Sequence, residues 1–208
     1  MKTMKLVALG DSLTVGETGS FDSDESVPYP KYLETLAKQH LASLQSSVEV
    51  NVLNRGINGD LSPGMLERFS GDVVDEKADY VIILGGANDI GWGFDPVMIA
   101  NNLTTMYDVA LNKGIVPVAC SVPSILGFDA HIPPRLQLNR IIRTEAEKRK
   151  IAFVDFFTAT VDPQTNRLSE GYSGDGLHLN IKGYQQMGKY MFDKWLRAIL
   201  DEAIQVHR

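Results

Sequence analysis

Residues 4–13 read Met-Lys-Leu-Val-Ala-Leu-Gly-Asp-Ser-Leu (MKLVALGDSL), and this stretch decides the fold. The apolar run Lys5–Leu9 has little polar alternation, which is typical of a strand buried on both faces of a sheet. Asp11 and Ser12 follow where that strand stops. Because ligands of open parallel sheets bind outside the carboxyl ends of the strands, polar residues at this position indicate a functional site.

The rest of the chain repeats this pattern of a buried strand followed by an amphipathic helix. Apolar residues at helical spacing separate the strands and predict the helices. Alternation of this kind predicts a three-layer α/β/α fold with a five-stranded parallel sheet. Neither a linker nor a repeat interrupts it, so we expect a single domain over residues 1–208. Four further strands are predicted, at Val48–Leu53, Tyr80–Leu84, Ile115–Ser121 and Ile151–Phe156.

The composition excludes several classes of function. The chain has 208 residues and a formal net charge of −6, which argues against nucleic acid as a partner because phosphate binding needs a basic face. No apolar run approaches the roughly 18 residues of a membrane helix, and the N-terminus lacks a secretory signal, so we expect no membrane partner and a cytoplasmic location. The single cysteine, Cys120, lies in an apolar run and is expected to be a core residue. Nothing in the sequence predicts an oligomeric state.

Several polar residues that follow strands form a pattern that suits acyl transfer. Ser12 alone is explained as well by a helix cap. However, a serine nucleophile needs a base and a third group that orients the base, and Asp175-x-x-His178 supplies both from one segment. The reaction also needs donors for the oxyanion, for which the main-chain N–H of Ser12, the N–H of Gly56 and the side-chain amide of Asn88 are candidates.

These residues lie in motifs that resemble the SGNH, or GDSL-type, hydrolases. The resemblance implies a flavodoxin-like fold and a serine esterase that needs no metal or cofactor. It also implies that Asp11 and Asp89 support the loops of Ser12 and Asn88. One position departs from the family, since Asn58 stands where a serine is frequent. The motifs are GDSL at 10–13, NRGING at 54–59, GAND at 86–89 and DGLH at 175–178.

We expect the substrate to be a small-molecule ester with a small acyl or aryl group, since no long apolar lid segment is visible. Two loops that follow strands carry apolar side chains suited to such a group. The family also contains thioesterases and carbohydrate deacetylases, and both stay open as alternatives. The predicted pocket residues are Ile90, Trp92, Phe94, Ile125, Phe128, His131 and Ile132.

An alternative of another class is a flavodoxin-like protein that binds phosphate or flavin without catalysis. Ser12, Thr14, Thr18 and the nearby glycines could form an anion-binding loop after the first strand. The acidic stretch Glu17–Glu25 argues against this, and a phosphate site would give Asp175-x-x-His178 no function. Other sites are also disfavoured: the chain has no P-loop and no G-x-S-x-G, and its four histidines lack zinc-ligand spacing.

Overall fold

The computed structural model describes residues 3–19 and 28–206, and its centre is a five-stranded parallel sheet. The strand order is β2-β1-β3-β4-β5, so the predicted fold class is confirmed. The strand predicted at Ile151–Phe156 is too long, because the Asp155 side chain accepts from the Thr158 N–H and caps a helix that begins at Phe156. The strands are β1 (Thr3–Gly10), β2 (Glu49–Gly56), β3 (Tyr80–Leu84), β4 (Val116–Cys120) and β5 (Ala152–Val154).

Helices connect the strands. Short 3-10 helices lie at Asp129–His131 and Glu170–Tyr172. Short π-helical segments lie at Ser70–Val74 and Phe192–Leu196. The second π-helical segment divides the last predicted helix into two. The α-helices of the described residues are α1 (Ser12–Val15), α2 (Tyr29–Ser43), α3 (Ser62–Glu67), α4 (Ala87–Gly91), α5 (Pro96–Asn112), α6 (Ile132–Arg149), α7 (Phe156–Thr160), α8 (Ile181–Met191) and α9 (Arg197–Val206).

The helices form two packed groups, and the sheet lies between them. Helix α2 packs against α8 and α9, whereas α5 packs against α3 and α6. Residues Leu6–Leu9 of β1 are fully buried, as a central strand covered on both faces requires. Cys120 is buried at the end of β4, as the sequence predicted.

The strand order reverses between β1 and β3, because the chain first adds β2 on one side of β1 and then β3 on the other. The carboxyl ends of β2, β1 and β3 therefore lie next to one another. Gly10 of β1 is in register with Gly56 of β2 on one side and with Leu84 of β3 on the other. The loops that begin after these residues therefore leave the sheet side by side. Such a switch point is where doubly wound folds of this strand order bind their ligands.

Most of the acidic stretch Glu17–Glu25 lies outside the described residues. In the part of the chain that the structure covers, the helices are all too short or too polar to cross a bilayer.

Candidate active site

Ser12 begins helix α1 directly at the carboxyl end of β1. Asp11 caps this helix, since its Oδ1 accepts from the Leu13 N–H at 3.0 Å. Ser12 is only 7% exposed, and its main-chain N–H, at the first helical position, has no partner among residues 3–19 and 28–206. A hydroxyl and an unpaired donor are thus fixed together at the switch point.

His178 and Asp175 meet Ser12 from the segment that precedes α8. Nε2 of His178 lies 3.1 Å from Oγ of Ser12, and Nδ1 lies 2.8 Å from Oδ2 of Asp175. The other carboxylate oxygen of Asp175 accepts the main-chain N–H groups of Leu177 at 2.9 Å and His178 at 2.6 Å. The structure therefore brings together the three residues that the sequence proposed as nucleophile, base and orienting group.

The electrostatics of this segment determine the tautomer of His178. Partial burial favours the neutral carboxyl of Asp175, but the hydrogen bonds from the His178 main chain and ring outweigh it and lower the Asp175 pKa. An ionised carboxylate can only accept, so Nδ1 of His178 carries the proton. Nε2 then presents its lone pair to the Ser12 hydroxyl, as a general base requires.

The loop after α1 packs directly on the Asp175 carboxylate. Gly19 has a φ of +70°, and a Cβ at this residue would lie 2.2 Å from Oδ2 of Asp175. A Cβ at Gly174, the residue before Asp175, would lie 2.0 Å from the Thr18 carbonyl oxygen. Glycine at both positions thus allows the loop of Thr18 and Gly19 to pack closely against Asp175.

Asn88 and Asp89 lie in the first turn of α4, after β3. The Asn88 amide donates to the Asp60 carbonyl oxygen at 2.9 Å, which turns it toward the loop that follows β2. The buried Asp89 carboxylate accepts from the Ser62 N–H at 3.0 Å and from its hydroxyl at 2.6 Å. Asp89 therefore joins α4 to the start of α3, and this bond holds the Asn88 segment against the loop after β2.

The sequence predicted that the N–H of Gly56 is an oxyanion donor, but the structure gives this N–H another partner. Its N–H donates to Oδ1 of Asn54 at 2.9 Å, so this donor already has a partner. A Cβ at Gly56 would lie only 2.5 Å from the Val15 nitrogen. The structure therefore explains this glycine by the close approach of β2 to α1.

Gly59 is a candidate donor that the sequence analysis missed. It is exposed, has a φ of +74°, and its N–H has no partner in the described part of the chain. The next residue, Asp60, provides the carbonyl that holds the Asn88 amide. The available signal was the pair Asn58-Gly59, because Asn-Gly favours a tight turn with positive φ.

A family model described as the GDSL-like lipase/acylhydrolase family matches residues 8–186 of the chain. The chain belongs to this family. The match confirms the resemblance seen in the sequence and the predicted class, a hydrolase of acyl esters. It also favours this class over a phosphate-binding or flavin-binding protein.

Individual esterases and solved structures resemble the chain over most of its length. An arylesterase from Vibrio mimicus is 28% identical over 84% of this chain and 79% of its own length. An acetylxylan esterase from Geobacillus stearothermophilus is 25% identical, over 93% of this chain and 96% of the relative. A solved structure of a lipase/acylhydrolase from Enterococcus faecalis superposes with a TM-score of 0.70 at 28% identity, covering 91% of this chain and 94% of that one.

In this member of the GDSL-like family a cavity of about 270 Å³ adjoins Asn88 and Leu177. Ile90 and Phe94 line a neighbouring cavity of about 550 Å³ that shares His131 with the first. Ile132, at the start of α6, is not among the residues that line these two cavities, so its pocket role stays a prediction. The predicted pocket residues that do line the first cavity are Trp92, Ile125, Phe128 and His131.

Arg135 is a further cavity residue that the sequence analysis missed. It is only 1% exposed, and its Nη1 donates to the Pro123 carbonyl oxygen at 2.8 Å. Burial lowers the pKa of Arg135 to about 10, while the charge of Asp11 opposes this shift. The signal was its place three residues before the buried Leu138 on the same helix face, where an apolar residue would be expected.

A larger cavity, of about 570 Å³, lies at the amino ends of the strands, opposite to the end that carries Ser12. Its lining includes Thr3 and Glu49 at the amino ends of β1 and β2, together with Lys38 of α2. Ligands of open parallel sheets bind at the carboxyl ends of the strands, so its volume does not make it the active site.

Proposed function

We propose that this chain hydrolyses small acyl or aryl esters, with Ser12 as nucleophile, His178 as base and acid, and Asp175 as the orienting group. The observation that supports this most directly is the hydrogen-bonded series from Ser12 Oγ to His178 Nε2, 3.1 Å, and from His178 Nδ1 to Asp175, 2.8 Å. The series lies at the switch point of the sheet, beside the cavity of about 270 Å³.

The first half-reaction acylates Ser12. Oγ attacks the ester carbonyl carbon as its proton passes to Nε2 of His178, and the carbonyl oxygen becomes an oxyanion. When the carbon–oxygen bond to the alcohol breaks, Nε2 gives its proton to the departing oxygen, leaving an acyl ester on Ser12. Asp175 stabilises the imidazolium that exists between the two transfers.

The second half-reaction releases the acid. Nε2 of His178 takes a proton from a water molecule as the water oxygen attacks the acyl carbon. Collapse of the second oxyanion breaks the bond to Ser12 Oγ, which recovers a proton from the imidazolium. The products are a free carboxylic acid and the starting enzyme.

Three donors stabilise both oxyanions in this proposal. The Ser12 N–H has no partner in the described residues, and the Asn88 amide uses one of its two hydrogens on Asp60. We take Gly59 rather than Gly56 as the source of the third donor. The Gly56 N–H already donates to Asn54, whereas the Gly59 N–H is unpaired in the described chain and next to Asp60.

The cavity supports a preference for small groups. Its walls are largely apolar, with Trp92, Ile125 and Phe128 among them, which suits an aryl ring or a short acyl chain. A panel of p-nitrophenyl esters from acetate to palmitate, beside acetylated xylooligosaccharide and acyl-CoA, tests this preference. We expect the highest kcat/KM for the short esters. A maximum for palmitate, acyl-CoA or the acetylated sugar would contradict the proposed substrate.

Covalent labelling tests the nucleophile. An alkyl fluorophosphonate should modify Ser12, located by mass spectrometry of the digest, and should abolish hydrolysis of p-nitrophenyl acetate. Ser12→Ala should be inactive and unlabelled, whereas the control Ser43→Ala, on the exposed side of α2, should behave as wild type. A label on another residue, or full activity in Ser12→Ala, refutes the proposal.

A further inference from the structure

Arg68, the residue that ends helix α3, reaches back to the carboxyl edge of the sheet. Nη2 donates to the Gly10 carbonyl oxygen at 2.9 Å, and Nη1 donates to the Arg55 carbonyl oxygen at 2.9 Å. Nε donates to Oδ2 of Asp60 at 2.8 Å. A further bond from Nη1 goes to Asp72, four residues along the chain. All three nitrogens of one planar group are therefore bound.

The partners of Arg68 belong to the segments that carry the proposed machinery. Gly10 ends β1, two residues before Ser12. Asp60 directly follows Gly59, whose N–H has no partner within the described ranges, and the Asp60 carbonyl oxygen accepts the Asn88 amide. The guanidinium of Arg68 thus connects the end of β1, next to the nucleophile, to the loop that contains Gly59 and Asp60.

The sheet topology favours such a connection. Among the described residues, strand β2 is at the edge of the sheet and pairs only with β1, so the loop after it has a strand on one side alone. Main-chain pairing between the two segments ends with the bond from the Ile57 N–H to the Gly10 carbonyl oxygen, 3.0 Å. Beyond that bond the Asp60 N–H donates to the Ile57 carbonyl oxygen at 3.2 Å, and Arg68 adds a direct side-chain connection between Asp60 and Gly10.

Only arginine suits this position. Its five N–H donors lie in one rigid plane, so bonds in different directions fix the relative positions of their acceptors. A lysine ammonium keeps the charge but is a single point on a flexible stem. Arg68 is also largely buried, with 17% of its side chain exposed, so its bonds with Asp60 and Asp72 are less screened than those of a surface pair.

We propose that Arg68 is a positioning residue, which sets the distance between Ser12 and the oxyanion loop of Gly59 and Asp60. This inference rests on the proposed function and extends it. Arg68 contributes to the rate through Gly10 and Asp60, since its own donors are already bound. Its loss should therefore impair the chemical step more than substrate binding.

The test compares Arg68→Lys with a matched control, Arg149→Lys. Arg149 likewise binds carboxylates through several nitrogens, on Asp108 and Glu145. However, it lies at the end of α6, near the amino ends of the strands and away from the proposed site. With p-nitrophenyl acetate we expect kcat of Arg68→Lys to fall about 10- to 100-fold with KM within about threefold, the size typical of a displaced catalytic group. The control should keep kcat within about twofold. Equal kcat values for the two variants would overturn the proposal.

Asp60→Asn provides a second variant in case Arg68→Lys is unfolded by circular dichroism. It removes the charged partner of Nε and keeps the carbonyl that binds Asn88. A lower kcat at constant KM supports the proposal, and an unchanged kcat contradicts it. Where both variants fold, the double variant should lose less than the product of the single losses, because they break one network.

Ser12→Ala separates this inference from the proposed function. An active Ser12→Ala refutes the serine mechanism, and with it the role of Arg68. If Ser12→Ala is inactive while Arg68→Lys matches Arg149→Lys, the mechanism stands and only the positioning role is wrong. The rate of fluorophosphonate labelling should fall in Arg68→Lys in parallel with kcat, since labelling uses the same nucleophile and donors.

Discussion

Replacing Asp175 by asparagine tests the centre of the proposed mechanism, and the structure gives the size of the effect. Oδ1 of Asp175 accepts two main-chain N–H groups, from Leu177 and His178. An amide side chain keeps its oxygen at that position, because the reversed orientation would point an NH₂ group at both donors. Two lost hydrogen bonds cost about 2–6 kcal/mol, at 1–3 kcal/mol each.

The amide nitrogen must then face Nδ1 of His178, where the carboxylate oxygen stood at 2.8 Å. It donates to Nδ1, so the ring proton moves to Nε2, and Nε2 cannot accept the proton of Ser12. The substitution also removes the negative charge that stabilises the imidazolium. Together these losses predict a kcat lower by about 10³–10⁴ for Asp175→Asn, which corresponds to about 4–5.5 kcal/mol.

The assay is steady-state hydrolysis of p-nitrophenyl acetate, with circular dichroism to show that the variant is folded. Asp108→Asn is the control, since it weakens a carboxylate bond to Arg149 far from the site and should leave kcat within about twofold. KM of Asp175→Asn should change little, because Asp175 lies behind the imidazole. A folded Asp175→Asn with kcat within tenfold of wild type would refute the reasoning.

Three further substitutions test other contacts. Asn88→Ala should lower kcat about 10²–10³-fold, with stability reduced by less than about 1.5 kcal/mol, because within the described residues its amide makes one hydrogen bond, of 2.9 Å to the Asp60 carbonyl oxygen; kinetics and thermal unfolding check the two effects. Gly19→Ala should lower kcat at least tenfold by displacing Asp175, whereas Gly114→Ala, at a similar φ of +73° but with open space around its Cβ, should not. Asp11→Asn should gain about 3 kcal/mol relative to wild type between pH 4 and 7, measured by urea unfolding, since a pKa raised from 3.8 to about 6 makes the wild type less stable as pH rises through that range.

The sequence predicted the fold well because buried parallel strands have a simple signature. Lys5–Leu9 and Tyr80–Leu84 are rich in Val, Ile and Leu with little polar alternation, and both lie within observed strands. The errors occur where polar residues end an element. Asp155 reads as part of an apolar run, yet its side chain caps α7, and only the hydrogen bond to Thr158 reveals this.

The proposed site was predictable where short motifs contain the chemistry and unpredictable where the contacts are distant in sequence. Asp175 and His178 are three residues apart, so their pairing follows from one turn. The contact of Arg68 with Gly10 joins residues 58 apart, and no local pattern indicates it. Gly56 shows the same limit, because its packing against α1 depends on the register of β1 and β2.

The two buried carboxylates beside the site, Asp11 and Asp89, show how the same side chain acquires different properties. Asp89 accepts the N–H and the hydroxyl of Ser62, so both of its oxygens have partners. Asp11 receives only the Leu13 N–H, and its Oδ2 has no partner in the described residues. Burial therefore raises the pKa of Asp11 to about 6 despite the opposing charge of Arg135.

The raised pKa of Asp11 gives Arg135 a second role besides lining the cavity, because the charge of Arg135 acts on Asp11. Because the charge of Arg135 lowers the Asp11 pKa, Asp11 is kept ionised at neutral pH partly by a cation on α6. An ionised Asp11 is the stronger acceptor for the Leu13 N–H and so holds the turn that carries Ser12. The helix cap next to the nucleophile thus depends on a buried arginine 124 positions further along the chain, through charge rather than through contact.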